Sequence, residues 1–197
     1  SKFLLLAIPF FLLAGDLLTA GGLAERLVRF AASLVGHWRA GLAQTTLMSS
    51  VLFSGASGSS VANAAFGAKV MAPALIARGY PPAHAAAIVA GVSMLDNIIP
   101  PSIAFLILAT ATNLSVGSLL VGGFVAGGVL ALALAIGIHL SVREVVDAAP
   151  KASGQERAKS FIGALPAIGL GVVVVVGIRF GVVTVTLPPA EEMPVDG

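Results

Sequence analysis

The sequence predicts an all-α membrane protein whose transmembrane helices carry two interruptions, a re-entrant helical hairpin and a broken, discontinuous helix. Three observations predict it. Apolar residues make up 57 % of the 197-residue chain and charged residues 10 %, with a mean hydropathy of +1.02. A soluble domain carries about 25 % charged residues, so this composition cannot clothe a surface facing water. Second, the stretch Phe53-Ser54-Gly55-Ala56-Ser57-Gly58-Ser59-Ser60-Val61-Ala62-Asn63 gathers serines and glycines inside an otherwise apolar segment. Third, Asp96-Asn97-Ile98-Ile99-Pro100-Pro101-Ser102 interrupts another apolar run. In lipid, irregular backbone survives only where protein buries it or where it lines a polar cavity. Two such places, each flanked by apolar helix, predict a site for an ion or polar solute near the membrane midplane.

Taken in order, Phe3–Thr19 reads as a membrane helix kinked at Pro9. Asp16 near its end reads as a helix-end or interfacial group, an ion ligand being the other reading. Gly21-Gly22 breaks that helix. In residues 23–36 the apolar positions Leu23, Leu27, Phe30, Ala31 and Leu34 share one face, with Glu25, Arg26 and Arg29 on others. This pattern predicts an arm helix lying in the interface, with a short helix packed on its neighbours as the alternative. His37, Trp38 and Arg39 close it at headgroup level.

Residues 41–79 form the re-entrant hairpin. Its two limbs, Gly41–Phe53 and Val61–Ala77, each fall short of the ~20 apolar residues that a crossing needs. Tyr80-Pro81-Pro82 ends the unit. Residues 83–112 follow as a broken helix, divided into Ala83–Leu95 and Ile103–Ala111, because consecutive prolines cannot complete the helical ladder. Residues 119–140 form a plain span whose Gly122, Gly123, Gly127, Gly128 and Gly137 serve packing. Ser141–Ser160 is a hydrophilic linker. A last helix, 161–185, completes a membrane domain of residues 1–186, and the acidic, Pro-rich residues 187–197 form a disordered tail.

Charge fixes orientation. The connections 20–40, 66–82 and 141–160 hold all of the 11 Lys and Arg residues except Lys2 and Arg179. They share one side only if the hairpin re-enters, and the positive-inside rule makes that side cytoplasmic. A net charge of +2 without a compact basic patch argues against nucleic acid, and the absence of cysteine excludes disulfides and thiolate metal sites.

Both interruptions offer chemistry suited to binding rather than catalysis. Ser54, Gly55, Ser57, Gly58, Ser59, Ser60 and Asn63 on the hairpin, with Asp96, Asn97, Pro100, Pro101 and Ser102 on the broken helix, are the candidate ion and substrate residues. Unwound carbonyls and the oxygens of Ser and Asn supply a sodium ion with ligands; Ser54, Ser57, Gly58, Asn97 and Pro100 make the candidate sodium site. Amino ends of half-helices carry partial positive charge and can face a carboxylate solute. Ser57, Ser59, Ser60 and Ser102 are suited to donate to it, and Asn63 and Asn97 can donate and accept. The plainer reading of any single Ser or Gly here is that a small residue lets two helices approach.

At these residues a family resemblance becomes specific. Residues 53–65 resemble the hairpin-tip motif of the large membrane subunit of tripartite ATP-independent periplasmic (TRAP) transporters. Ile98-Ile99-Pro100-Pro101-Ser102-Ile103 resembles that family's broken-helix motif, and residues 7–15 and 22–27 resemble its preceding helix and arm. The resemblance runs in order over roughly residues 1–143, and more weakly over 161–186. It implies half of an inverted-repeat ion-transporter-type fold and a sodium-driven secondary transporter rather than an enzyme. It implies no bound cofactor beyond sodium as coupling ion, and an elevator motion of the hairpin and broken helix. The implied partners are a small four-helix membrane subunit, a periplasmic solute-binding protein, and organic-acid substrates such as C4-dicarboxylates and sialic acids. The implied location is the lipid bilayer of a bacterial inner membrane, as a multi-pass protein.

Asp96 and Asn97 depart from that family pattern, standing where small or apolar residues are usual, so that sodium or proton coupling both remain open. Asp16 stands where Glu is common. Family members are about twice as long, so the chain is expected to be a fragment covering roughly the first half. Three other readings compete: another ion-coupled carboxylate transporter of similar architecture, a rhomboid-like intramembrane serine protease, and a purely structural membrane subunit. Gly55-Ala56-Ser57-Gly58 resembles the protease nucleophile motif, but a membrane-embedded His within hydrogen-bond reach is required. His37, His84 and His139 all fall near membrane ends.

Overall fold

A computed structural model describes residues 21–112, 116–142 and 149–179, and among them every regular element is helical. The predicted helix at 3–19 with Asp16, the tail at 187–197 and the end of the last helix lie outside the described residues. Helix α1 (Leu23–Val35) begins after Gly22. Its apolar stripe is covered by protein: Ala24 and Leu27 join Phe53, Ala164 and Ala167 in one buried cluster, and Phe30 meets Phe161 at 5.5 Å between ring centroids. Glu25, Arg26 and Arg29 face outward. The apolar face of the amphipathic pattern is therefore met by neighbouring helices, and its charged face is exposed.

Helix α2 (Gly41–Ser57) runs to a turn at Gly58 and Ser59, and the chain returns as α3 (Ser60–Ala77). The turn follows from its residues. Gly58 sits in the left-handed region at φ 57°, with its N–H on the Ser54 carbonyl at 3.2 Å. Ser59 then caps α3, its hydroxyl accepting from the Ala62 N–H at 3.4 Å. Within α3 the segment Gly67–Met71 widens into a π-turn, where Ala72 N–H reaches back to the Gly67 carbonyl. Pro73 supplies the reason, since it lacks an N–H and crowds the carbonyl four residues earlier.

Helix α4 (Pro82–Ser93) passes into a 3₁₀ turn (Met94–Asn97), and α5 (Ile103–Thr112) resumes after the break. Pro100 and Pro101 remove the donors that the Asp96 and Asn97 carbonyls would meet in a continuing helix. The Ser102 hydroxyl donates to the Asn97 carbonyl instead, at 2.8 Å, and the Pro100–Pro101 bond is cis. The helix thus stops two residues sooner than the predicted Leu95.

Helix α6 (Val116–Ser141) returns beside the break, and α7 (Gly154–Arg179) packs on α1 and α2. Its start differs from expectation by seven residues. Ser153 and Glu156 form a reciprocal cap, Ser153 N–H to Glu156 Oε2 at 2.9 Å and Glu156 N–H to Ser153 Oγ at 3.2 Å. That capping box recruits the charged stretch 154–160 into the helix.

The three basic connections converge at one end. Ala40, Tyr80, Ala85, Ile138 and Val142 share a buried cluster. The Ala149 N–H bonds the Gly36 carbonyl at 2.8 Å, and His84 and Ser141 line one cavity. The start of α2 and the end of α3 therefore lie at the same end of the molecule.

Candidate ion and solute site

The two interruptions meet. The 3₁₀ turn before the break lies against both α2 and α3, so the hairpin clasps the broken helix near its own tip. Ser50 on α2 and Asn63 on α3 tie the limbs together in a buried pair, Asn63 Nδ2 donating to Ser50 Oγ at 2.9 Å, with Ser50 Oγ to Asn63 Oδ1 at 3.3 Å. Phe53 and Phe66 stack next to it at 5.8 Å. Asp96 is wholly buried with the Asn63 side chain against it. Neither of its carboxylate oxygens makes a hydrogen bond of ordinary length and angle.

The candidate residues divide by environment. Ser54 is fully buried and its hydroxyl donates to the Val51 carbonyl at 2.7 Å, which leaves oxygen lone pairs for an ion. Gly55 and Ser60 are half-buried, Gly58 is buried, and Ser57 closes α2. Ser59 is occupied as the α3 cap. Pro100, Pro101 and Ser102 are buried, whereas Asn97 is exposed. The break therefore turns Asp96 inward and offers Asn97 mainly through its carbonyl, already taken by Ser102.

Sequence reasoning missed the rest of the polar stripe on α2. Gln44, Thr45, Thr46, Ser49 and Ser50 are all buried. Thr45 and Thr46 bond carbonyls one turn back, and the Gln44 amide reaches across to the Ala135 carbonyl of α6 at 2.9 Å. The available signal was the spacing of Thr46, Ser50 and Ser54, four residues apart on one helical face in an apolar segment.

A cavity of about 370 Å³ opens between α2, the break, α6 and α7. Gly55, Pro100, Phe124, Gly128 and Val172 are among its walls, and no polar or charged side chain lines it. It suits an apolar occupant. The polar cluster of Ser50, Asn63 and Asp96 lies outside it.

No described His approaches the hairpin tip. His37 precedes α2, His84 begins α4 and His139 lies near the end of α6, so all three sit at the basic end. The 17 residues of α2, rising about 25 Å, separate that end from Gly55–Gly58. A nucleophilic Ser–His pair is not formed among the described residues.

If Gly58 is required for its backbone, Gly58→Ala should lower the stability of the full-length protein by about 1–2 kcal/mol, the cost of a Cβ in the left-handed region. Gly55 is helical with open space where a Cβ would stand, so Gly55→Ala should be near neutral. Thermal unfolding of the two variants separates them. Equal effects would remove the conformational account of the turn.

Residues 1–193 match the family described as tripartite ATP-independent periplasmic transporter, DctM component. Among curated relatives, the chain is 40 % identical over 187 residues to the C4-dicarboxylate TRAP transporter large permease protein DctM of Pseudomonas aeruginosa. It is 35 % identical to the 2,3-diketo-L-gulonate TRAP transporter large permease protein YiaN of Escherichia coli, and 34 % identical to the sialic acid TRAP transporter permease protein SiaT of Haemophilus influenzae. Each alignment covers 94 % of this chain, but only 44 %, 44 % and 30 % of those relatives, respectively. The chain thus spans less than half the length of these relatives, which are named as transporter permeases and not as enzymes.

Proposed function

Since the chain belongs to the family of DctM components of tripartite ATP-independent periplasmic transporters, a family of membrane permeases, we propose that it forms one repeat of a sodium-coupled importer of organic acids. The clasp between hairpin and broken helix carries this reading, because it sets unwound backbone, serine hydroxyls and a buried carboxylate side by side. Substrates of the C4-dicarboxylate or sialic-acid type agree with the names of the relatives. A solute-binding protein would deliver them on the periplasmic side of a bacterial inner membrane, and a small four-helix membrane subunit would brace the permease.

Depth supports the midplane site. The 12 residues of α4 rise about 18 Å from the basic end, a little over halfway through a hydrocarbon core of roughly 30 Å. The break therefore falls well inside the bilayer, and the hairpin re-enters from the cytoplasmic side. There the oxygens of Ser54, Ser57, Gly58 and the 96–100 backbone would dehydrate a sodium ion. Ser59, Ser60, Ser102 and the amino end of α5 would meet the carboxylate of the solute. Because Ser50–Asn63 binds the limbs of the hairpin together and the hairpin clasps the break, these elements are suited to move as one body in an elevator step.

The test is uptake of labelled C4-dicarboxylate or sialic acid into liposomes holding the full-length permease and its small subunit. We expect uptake only with the binding protein outside and an inward sodium gradient. Equal uptake on a potassium gradient would remove sodium coupling, and uptake without the binding protein would remove the tripartite scheme.

A further inference from the structure

The corner where α1 ends and α7 begins gathers cations that no neighbour neutralises. The Gly36 carbonyl holds the Ala149 N–H at 2.8 Å. His37 and Trp38 follow that tie on one side, and exposed Lys151 follows it by two residues on the other. Helices α1 and α7 run antiparallel: Phe161 meets Phe30, and Ala164 and Ala167 join Leu27 and Ala24 further along. One turn the other way, half-buried Arg157 stands level with Leu34, just short of His37. Arg157 Nε and His37 Nδ1 are both enclosed without a hydrogen-bond partner, a condition that asks for an explanation. Among the described residues no carboxylate pairs with the Arg157 guanidinium, since the adjacent Glu156 turns its Oε2 to the Ser153 N–H.

The same side of α7 turns apolar within one turn. Arg157, Phe161 and Leu165 fall four residues apart on one helical stripe. Phe161 and Leu165 are each 44 % exposed, and Ile162 beside them is 65 % exposed. Trp38 marks the border: its ring is 49 % exposed and meets His37 edge-on at 6.3 Å, as suits a side chain at headgroup level. Cations at the end, an open apolar stripe directly beneath them and an aromatic ring between match the outline of a phospholipid. We propose that this corner binds one anionic phospholipid, its phosphate held by Lys151 and Arg157 beside His37, with an acyl chain along Phe161, Ile162 and Leu165. Arginine supplies a planar fork suited to phosphate oxygens, and basic pockets between helices at the cytoplasmic side take anionic headgroups. Only the choice of the cytoplasmic leaflet rests on the proposed orientation; the site itself rests on the chemistry of the corner. The lipid would bridge the end of α1 and the start of α7.

The experiment is thermal unfolding of the purified full-length permease in neutral detergent, titrated at constant ionic strength with phosphatidylglycerol, phosphatidylcholine or inorganic phosphate. Phosphatidylglycerol should raise the unfolding midpoint saturably, following mass action, while the other two raise it far less at equal concentration. Lys151→Gln combined with Arg157→Gln should need roughly thirtyfold more phosphatidylglycerol for the same rise, the effect of two basic residues near a headgroup. Ile162→Gln keeps both cations and should still weaken the lipid several-fold, with no change in the response to phosphate. Arg78→Gln removes the same charge at the same end of the molecule, outside the corner, and should leave the lipid requirement unchanged. A loss in Arg78→Gln as large as in the double variant would reduce the effect to diffuse attraction and overturn the site. Equal protection by inorganic phosphate would make it a site for a free anion, and equal protection by phosphatidylcholine would remove the cations from recognition; either overturns the proposal. Where the double variant fails to fold, an unshifted lipid requirement in Lys151→Gln alone has the same force.

Discussion

Ser57→Leu combined with Ser59→Leu in the full-length permease is expected to reduce organic-acid uptake to background while the protein still inserts and folds. The two positions flank Gly58 at the hairpin tip, where α2 ends and α3 begins. Leucine there removes two hydroxyls from the proposed solute contacts and fills the tip with apolar volume. Loss of the Ser59 cap of α3 costs about 1 kcal/mol, too little to unfold a membrane domain by itself. Ser59→Asn separates the effects, since asparagine restores the cap but displaces the hydroxyl. Uptake in the double variant within twofold of wild type, measured at equal permease content, would exclude the tip from the site.

The second large effect falls on α6. A Cβ built at Gly123 would stand 2.6 Å from the Ile98 carbonyl oxygen and would also collide with the Phe105 ring, and one at Gly127 would stand 2.5 Å from Ile99 Cγ1. The first neighbour is backbone of the break itself, so relief requires moving the segment that carries the candidate site. Gly123→Val with Gly127→Val should therefore destabilise by several kcal/mol, given 1–3 kcal/mol for each overpacked site, and abolish uptake as well. Gly122→Ala and Gly128→Ala are the internal controls, because open space surrounds the Cβ at both. They should be neutral or slightly stabilising, as alanine is the better helix former. Equal losses in the double variant and in both controls would mean that α6 as a whole, rather than its contact with the break, is sensitive.

The parts of the fold legible in the sequence were those written in residues with few conformational options. Gly58, Ser59 and the pair Pro100-Pro101 each forbid a continuing helix or end one, so the hairpin turn and the break could be located within a few residues. Of the five glycines of α6 read as packing residues, Gly123 and Gly127 lie close against the break, whereas Gly122, Gly128 and Gly137 face open space. Which of them touch the break could not be read, because that depends on the rotation of α6 against Ile98 and Ile99. Periodicity also fails inside a break: adjacent Asp96 and Asn97 look equivalent on paper, and only the 3₁₀ turn buries one and exposes the other. The start of α7 was hidden for a different reason. Ser153 and Glu156 stand among other charged residues, and their reciprocal bonds outweigh the hydrophilic composition that marked the stretch as linker. The Ser50–Asn63 pair joins residues thirteen apart, a contact that exists only once the tip has folded.

The bond from Ala149 to Gly36 reaches beyond the corner it closes. It moors the connection after α6 to the end of α1, and α1 in turn lies along α7. The placement of α7 is thus shared with a helix more than a hundred positions upstream. A lesion in that early helix should therefore be felt both in α7 and in the first limb of the hairpin, since α1 packs on each of them.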